Sequence, residues 1–265
     1  EGLTGVLHWS WNGVKKTSDW RLRPVPGQFA YQPKRSAASL RAPARTPATI
    51  RVVSLNAHNY FATLAIPGAK CGPRQSKCRG AHSIAEFERQ TAKLVDSVCR
   101  LDADIVGLTE VENVRGDTLG ALVSALNATC PEYTAVGTGT IGRDVIKAGI
   151  VYKANVVTPT GPPAILDAAD FVDPLARGRG LNRPALSQRY EAAAGGLDFR
   201  LVVNHLKSKL PGCGPDDAEL IADTGACNRT RTLAVSALAQ WLGKGGYGGG
   251  EGGDLVGLAN PLLLV

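Results

Sequence analysis

The pattern of hydrophobic and polar positions changes character at Ile50. Before it, Trp9, Trp11, Trp20, Phe29 and Tyr31 punctuate short β-like runs over residues 1–32, which read as a strand pair or the tail of a preceding β module. Residues 33–49 then hold three prolines, four basic residues and no acid, a linker composition. From Ile50 the chain alternates between two periods. Ile50–Asn56, rich in β-branched residues, predicts a strand. Residues 84–101 place Ile84, Phe87, Ala92, Leu94, Val95, Val98 and Leu101 at near-helical spacing, and Ser83 with Glu86 forms a capping box at the start. Asp104–Leu108, Ala148–Tyr152 and Phe199–His205 predict three more strands, and residues 117–128 and 228–242 two more helices. A connection from Gly243 to Gly253 is mostly glycine, and Pro261–Val265 begins another apolar strand. No internal repeat is visible. Strands alternating with helices predict a layered α/β fold with polar strand ends gathered at one edge.

Composition narrows the class. A chain of 265 residues, 44% hydrophobic and 20% charged, can bury one large core plus a small flanking unit and is not disordered. No window of about eighteen apolar residues exists, so no membrane-spanning helix is expected. The net charge of +7 favours polyanionic partners such as nucleic acid, though solubility alone also explains a modest basic excess. The sequence contains no methionine, and Glu1-Gly2-Leu3-Thr4 lacks the basic start and apolar stretch of a signal peptide, so it reads as an internal piece of a longer product.

Six cysteines lack zinc-ribbon or C-x-x-C spacing, so disulfides in an oxidising compartment fit better than metal or redox roles. Cys71 with Cys78 and Cys213 with Cys227 would close short loops; Cys99 with Cys130 follows by elimination, the alternative being a buried free thiol at Cys99. The expected location is secreted, extracellular or periplasmic. The sequons Asn127-Ala128-Thr129 and Asn228-Arg229-Thr230 are too short to carry weight.

Three strands end in residues that an apolar core would not select: Ser54-Leu55-Asn56, Thr109-Glu110-Val111-Glu112-Asn113 and Asn204-His205-Leu206-Lys207-Ser208-Lys209. Singly each is a turn former or a solvated loop. Together they fit phosphodiester hydrolysis. A hard divalent cation takes oxygen ligands, which Glu110 and the Asn56 amide can supply. His205 can donate to a phosphate oxygen as charge develops there, and Arg183 can add a charge-assisted contact. Asn204, Lys207 and Lys209 are candidate contacts to substrate, the lysines as point charges on flanking phosphates.

Several of these runs occur together. They are Asn59-Tyr60-Phe61, Cys78-Arg79-Gly80-Ala81, Ala103 to Asn113, Asp144 to Lys153 and Val203 to Lys209. In this combination, over about residues 50–242, the chain resembles secreted bacterial extracellular nucleases of the endonuclease/exonuclease/phosphatase (deoxyribonuclease I-like) family. Gly2 to Leu7 is similar to the end of the β module that often precedes such domains. The resemblance implies a four-layer αββα sandwich over residues 50–265. It assigns metal binding to Asn56 and Glu110, a phosphate contact to His205, the Arg183 role to the start of a strand, and an orienting place near the substrate to Asp144. It implies Mg2+ or Mn2+, with Ca2+ as a structural ion, and DNA or RNA as partner. It gives no oligomeric state.

The chain departs from that pattern toward its end. The family's Gly-Asp-x-Asn segment, later Asp and terminal Asp-His pair, which activate water, have no counterpart in residues 1–265. The fold is therefore expected to be incomplete at the C-terminus and turnover from this chain small. Two alternatives stand beside the nuclease reading: a phosphoesterase of the same fold acting on phospholipid headgroups or nucleotides, and a non-catalytic fragment or phosphate- or DNA-binding module.

Overall fold

The computed structural model describes residues 5–11, 17–25, 44–46, 49–114, 117–178, 180–218, 224–244 and 262–264. Phe29, Tyr31, most of the proline-rich stretch and most of the glycine-rich connection lie outside them. The chain divides into two compact units, Glu1–Arg41 and Ala42–Val265.

The first unit contains an antiparallel hairpin of β1 (Gly5–Trp11) and β2 (Ser18–Pro24). Trp9 sits opposite Trp20, their rings edge to face at 5.3 Å. Leu7, Trp9, Trp20 and Leu22 occupy one face of this ribbon and are all exposed.

The second unit holds two four-stranded sheets. In the first the order is β3 (Val52–Tyr60), β6 (Ile105–Glu112), β8 (Ile146–Lys153), β7 (Tyr133–Ala135), with β3 and β6 parallel. In the second it is β12 (Leu262–Leu264), β11 (Asp198–His205), β10 (Arg183–Ala192), β9 (Val157–Leu166), with β12 parallel to β11 and the other pairs antiparallel. A small hairpin, β4 (Lys70–Cys71) with β5 (Ser76–Lys77), follows β3.

Side-chain alternation along the strands builds the layers. Ile105 and Ile150 of the first sheet meet Leu186, Tyr190, Leu201 and Val203 of the second in a shared interior. Their neighbours Val106 and Val151 point the other way, onto Leu94, Val95 and Val98 of α1 (Ile84–Leu101) and Leu122 and Leu126 of α2 (Asp117–Asn127). Ala185 and Val202 likewise face outward, against Phe171 of α3 (Ala169–Val172) and Ala234, Leu238 and Leu242 of α4 (Asn228–Gly243). The order helix, sheet, sheet, helix is the αββα sandwich that the sequence predicts.

Local signals act largely as expected. Ser83 accepts from the Glu86 amide at 3.3 Å, closing the N-terminus of α1. The reciprocal contact is displaced by one residue, because Glu86 Oε2 accepts from the His82 amide at 2.7 Å. Asp102, left-handed at φ 47°, ends the helix. The first turn of α4 is held from outside: Asp217, in a short 3-10 turn (Pro215–Asp217), accepts from the Arg229 and Thr230 amides at 2.8 and 2.9 Å and from the Thr230 hydroxyl. The strands β7, β9 and β10 and the β4–β5 hairpin carry no clear pattern in the sequence; β9 holds Pro159, Gly161, Pro162 and Pro163 and lies at the sheet edge, where a missing N–H disturbs no ladder.

All three expected disulfides form: Cys71–Cys78, Cys99–Cys130 and Cys213–Cys227. Cys99–Cys130 ties the last turn of α1 to the segment after α2 across 31 residues. Replacing both cysteines by alanine is expected to destabilise the domain by about 3–4 kcal/mol through the entropy of the unfolded chain. A urea titration of the double variant reads this directly; an unchanged midpoint would refute it.

Candidate active site

The two sheets present their polar strand ends at the same pole. On the first sheet, both ladders break there. The β3–β6 register shifts between Asn56 and Tyr60, and the β6–β8 register between Leu108 and Val111. Bulges of this kind re-aim side chains at the cost of local pairing. His58, Asn59 and Glu110 all take positive φ, Glu110 at 61°. A non-glycine residue held in that region stores strain, which concentrates at functional sites.

The strain places the Glu110 carboxylate beside Asn56. Asn56 Nδ2 donates to Glu110 Oε1 at 3.1 Å, and the Asn59 amide donates to Oε2 at 3.1 Å. Asn56 Oδ1 accepts from the His58 amide at 2.8 Å. From the second sheet, His205 brings Nε2 to 3.9 Å from Glu110 Oε1. Arg183 faces His205 across the β10–β11 pair and donates Nε to Asp144 Oδ2 at 2.9 Å. Arg79 lies 3.6 Å from the other Asp144 oxygen. Asn56, Glu110, His205, Arg183 and Asp144 therefore form one continuous cluster, with Arg79 added to it.

Each member has a partner that sets its role. Asp144 is bracketed by two guanidiniums, so it orients Arg183 more than it faces outward. The His205 imidazole is held below its ordinary pKa by burial and then by Arg183, while Glu110 and Asp144 pull it up. It is therefore mostly neutral at pH 7, with Nδ1 buried and unpartnered among the described residues. A His with a lowered folded-state pKa costs stability only as pH falls through its unfolded value near 6.5. Glu110→Gln is expected to lower the His205 midpoint further and Arg183→Leu to raise it. Proton NMR titration of the imidazole follows both, and shifts of the opposite sign would break this assignment.

The remaining sequence candidates lie further back. Asn204 donates Nδ2 to Val202 O at 3.4 Å, and its Oδ1 is buried. The Lys207 ammonium bonds Ser208 and Leu210 carbonyls within its own loop, at 3.3 and 3.1 Å. Lys209 packs its stem against Gly225. Two residues adjoining Glu110 in the sequence are structural: Glu112, fully buried, accepts from Thr63 N and Thr118 Oγ1 at 3.1 and 2.9 Å, and Asn113, also fully buried, exchanges bonds with Ile141.

Arg79 is the member that the sequence pattern did not single out. It follows directly on the Cys71–Cys78 loop, which anchors it. Gly80 lets that loop close down, because a Cβ there would collide with Phe61.

As for a cation, Glu110 and the Asn56 amide offer a half-buried carboxylate and, with the amide turned, a neutral oxygen. One or two such ligands plus water is the ordinary coordination of Mg2+. The donor set thus fits a hard divalent ion. Cys213, Asp217 and Cys227 also cluster, but both sulfurs are spent in a disulfide and Asp217 caps α4, so they do not form a metal site.

No protein-family model matches the chain, and no curated protein matches it. Among solved structures it is similar to the human Nocturnin catalytic domain with bound sulfate, at 17% identity and TM-score 0.47 over 81% of this chain and 62% of that one. It is similar to a mannosyl-6-phosphatase of Bacteroides thetaiotaomicron at 12% identity and TM-score 0.47, over 82% and 64%. A third is an endonuclease/exonuclease/phosphatase family protein from the same organism, at 11% identity and TM-score 0.45, over 81% and 62%. The chain spans about three-fifths of the length of these structures.

Proposed function

We propose that this chain carries the metal- and phosphate-binding part of a secreted phosphodiesterase acting on nucleic acid, DNA first and RNA second. The observation that supports this best is the meeting of unlike groups at one pole. A strained carboxylate, an amide, a buried neutral imidazole and a fixed guanidinium stand within one chain of contacts. A structural ion-pair network needs no neutral His and no left-handed Glu.

In this reading Glu110 and Asn56 hold Mg2+ or Mn2+, which supplies Lewis-acid stabilisation of charge on the phosphoryl group. His205 presents Nε2–H to a non-bridging oxygen, and Arg183, fixed by Asp144, neutralises a second. No water-activating Asp-His pair occurs in residues 1–265, so binding is expected to exceed turnover. Three disulfides support an oxidising location.

The test compares supercoiled plasmid, sphingomyelin and free nucleotides with Mn2+, and again with EDTA. Slow, metal-dependent nicking of plasmid alone is expected. Preference for sphingomyelin or nucleotide, or nicking that survives EDTA, would overturn the proposal.

A further inference from the structure

One groove continues outward from the cluster, with Asn56 and Arg79 at its inner end. It holds about 630 Å³ and runs from Asn56 between β3 and α1. His58, Arg79, Arg89 and Lys93 line it and are all exposed. Its one acid, Glu86, is engaged by the His82 amide. Glu86, Arg89, Gln90, Lys93 and Ser97 all reach the groove, spaced as one face of a helix. Gln90 fixes that face to β3 by donating to the Ala57 and His58 carbonyls, each at 2.9 Å. The Arg89 and Lys93 side chains have no acidic partner among the described residues. Two like charges one turn apart disfavour a helix, so their pairing on this face calls for a counter-charge from outside.

We infer that this groove is a subsite for phosphates flanking the reacting one, so that the substrate is an extended nucleic-acid strand and not a small phosphoester. This rests on the nuclease reading and deepens it. The geometry suits a strand. The α1 face from Glu86 to Ser97 extends about 16 Å at 1.5 Å per residue, long enough to follow several phosphates, which on each strand of duplex DNA recur every ~3.4 Å along the helix axis. Asn56 belongs to both the groove and the cluster, so a backbone held by Arg79, Arg89 and Lys93 passes directly to Glu110. A single phosphate would use the cluster alone and leave Arg89 and Lys93 idle.

The experiment is fluorescence anisotropy of labelled dT2 and dT12 on the 265-residue chain with Mn2+, over a salt series, for the unsubstituted protein and for Arg89→Ala/Lys93→Ala. Both positions are solvent-exposed, and a thermal melt checks that the fold persists. The unsubstituted chain is expected to bind dT12 at least tenfold more tightly than dT2. The double variant should lose most of that length dependence, and its salt slope should fall by about 1.4, from two phosphate contacts at ~0.7 each. An unchanged slope and dT12 affinity in the variant would overturn the groove assignment. So would tighter binding of poly-glutamate than of dT12. If plasmid is not nicked but the dT12 length dependence and its loss are both seen, the nuclease reading fails while the groove stands. If plasmid is nicked and dT2 binds as well as dT12, the reverse holds.

Discussion

Glu110→Gln is expected to lower Mn2+ affinity by at least about a hundredfold and to reduce metal-dependent cleavage of DNA by about a thousandfold. The change removes one charge and keeps the volume. Glu110 is the cluster carboxylate not paired with a guanidinium among the described residues, and it stands next to the Asn56 amide. A metal site with a single carboxylate loses most of its attraction for a hard cation when that charge goes. A thousandfold in rate corresponds to about 4 kcal/mol, in the range that Lewis-acid stabilisation supplies. Water-proton relaxation with Mn2+ measures the first effect without turnover, and plasmid nicking measures the second. Thermal stability should hold or rise slightly, because the left-handed backbone and the Asn59 contact remain while the carboxylate's charge no longer needs solvation. Unaltered Mn2+ affinity would remove Glu110 from the metal site.

The second large effect is on the fold. Asp104→Ala is expected to destabilise the domain by about 3–5 kcal/mol, the loss of two charge-assisted hydrogen bonds to a buried carboxylate, one of which leaves the Arg51 amide without its acceptor. Asp104 is fully buried at the entrance of β6. It accepts from Arg45 Nη2 at 2.7 Å and from the Arg51 amide at 2.8 Å, with Lys153 Nζ at 3.7 Å. Arg45 also reaches Asp102, so the stretch ahead of β3 is fastened to the sheet by these carboxylates. For a domain of this size the loss corresponds to a fall in Tm of roughly 6–20 °C. A change below 1 kcal/mol in a urea melt would show that the network is dispensable.

How much of this was legible in the sequence depends on the range of the interaction. Helix α1 announces itself by period, burying one face of fixed spacing, and strands β3 and β6 by their apolar and β-branched content. The disulfides Cys71–Cys78 and Cys213–Cys227 follow from short loops. Strand β9 was hidden because prolines erase its pattern, and β7 because three residues carry no period. At the site, Asn56, Glu110 and His205 were readable as polar strand ends and Arg183 from the family resemblance, and the structure brings them together. The pairing of Arg183 with Asp144 spans 39 residues, and no local rule predicts it. Arg79 left no signal of its own, because its position comes from a disulfide and from a glycine that admits Phe61. Lys207 reads in the sequence as a phosphate contact beside a site histidine; in the structure its ammonium bonds the Ser208 and Leu210 carbonyls of its own loop.

The bulge in β6 has a wider meaning. In a regular strand Glu110 and Glu112, two apart, would share a face and a fate. The register shift between Leu108 and Val111 separates them. Glu110 opens toward the cluster, while Glu112 is sealed inside, bracing Thr63 and Thr118. One extra backbone step thus lets eight residues carry both a working carboxylate and a scaffold carboxylate. The functional information in this segment is its length as much as its letters: without the extra residue both acids would return to a common face and reactivity would be exchanged for burial.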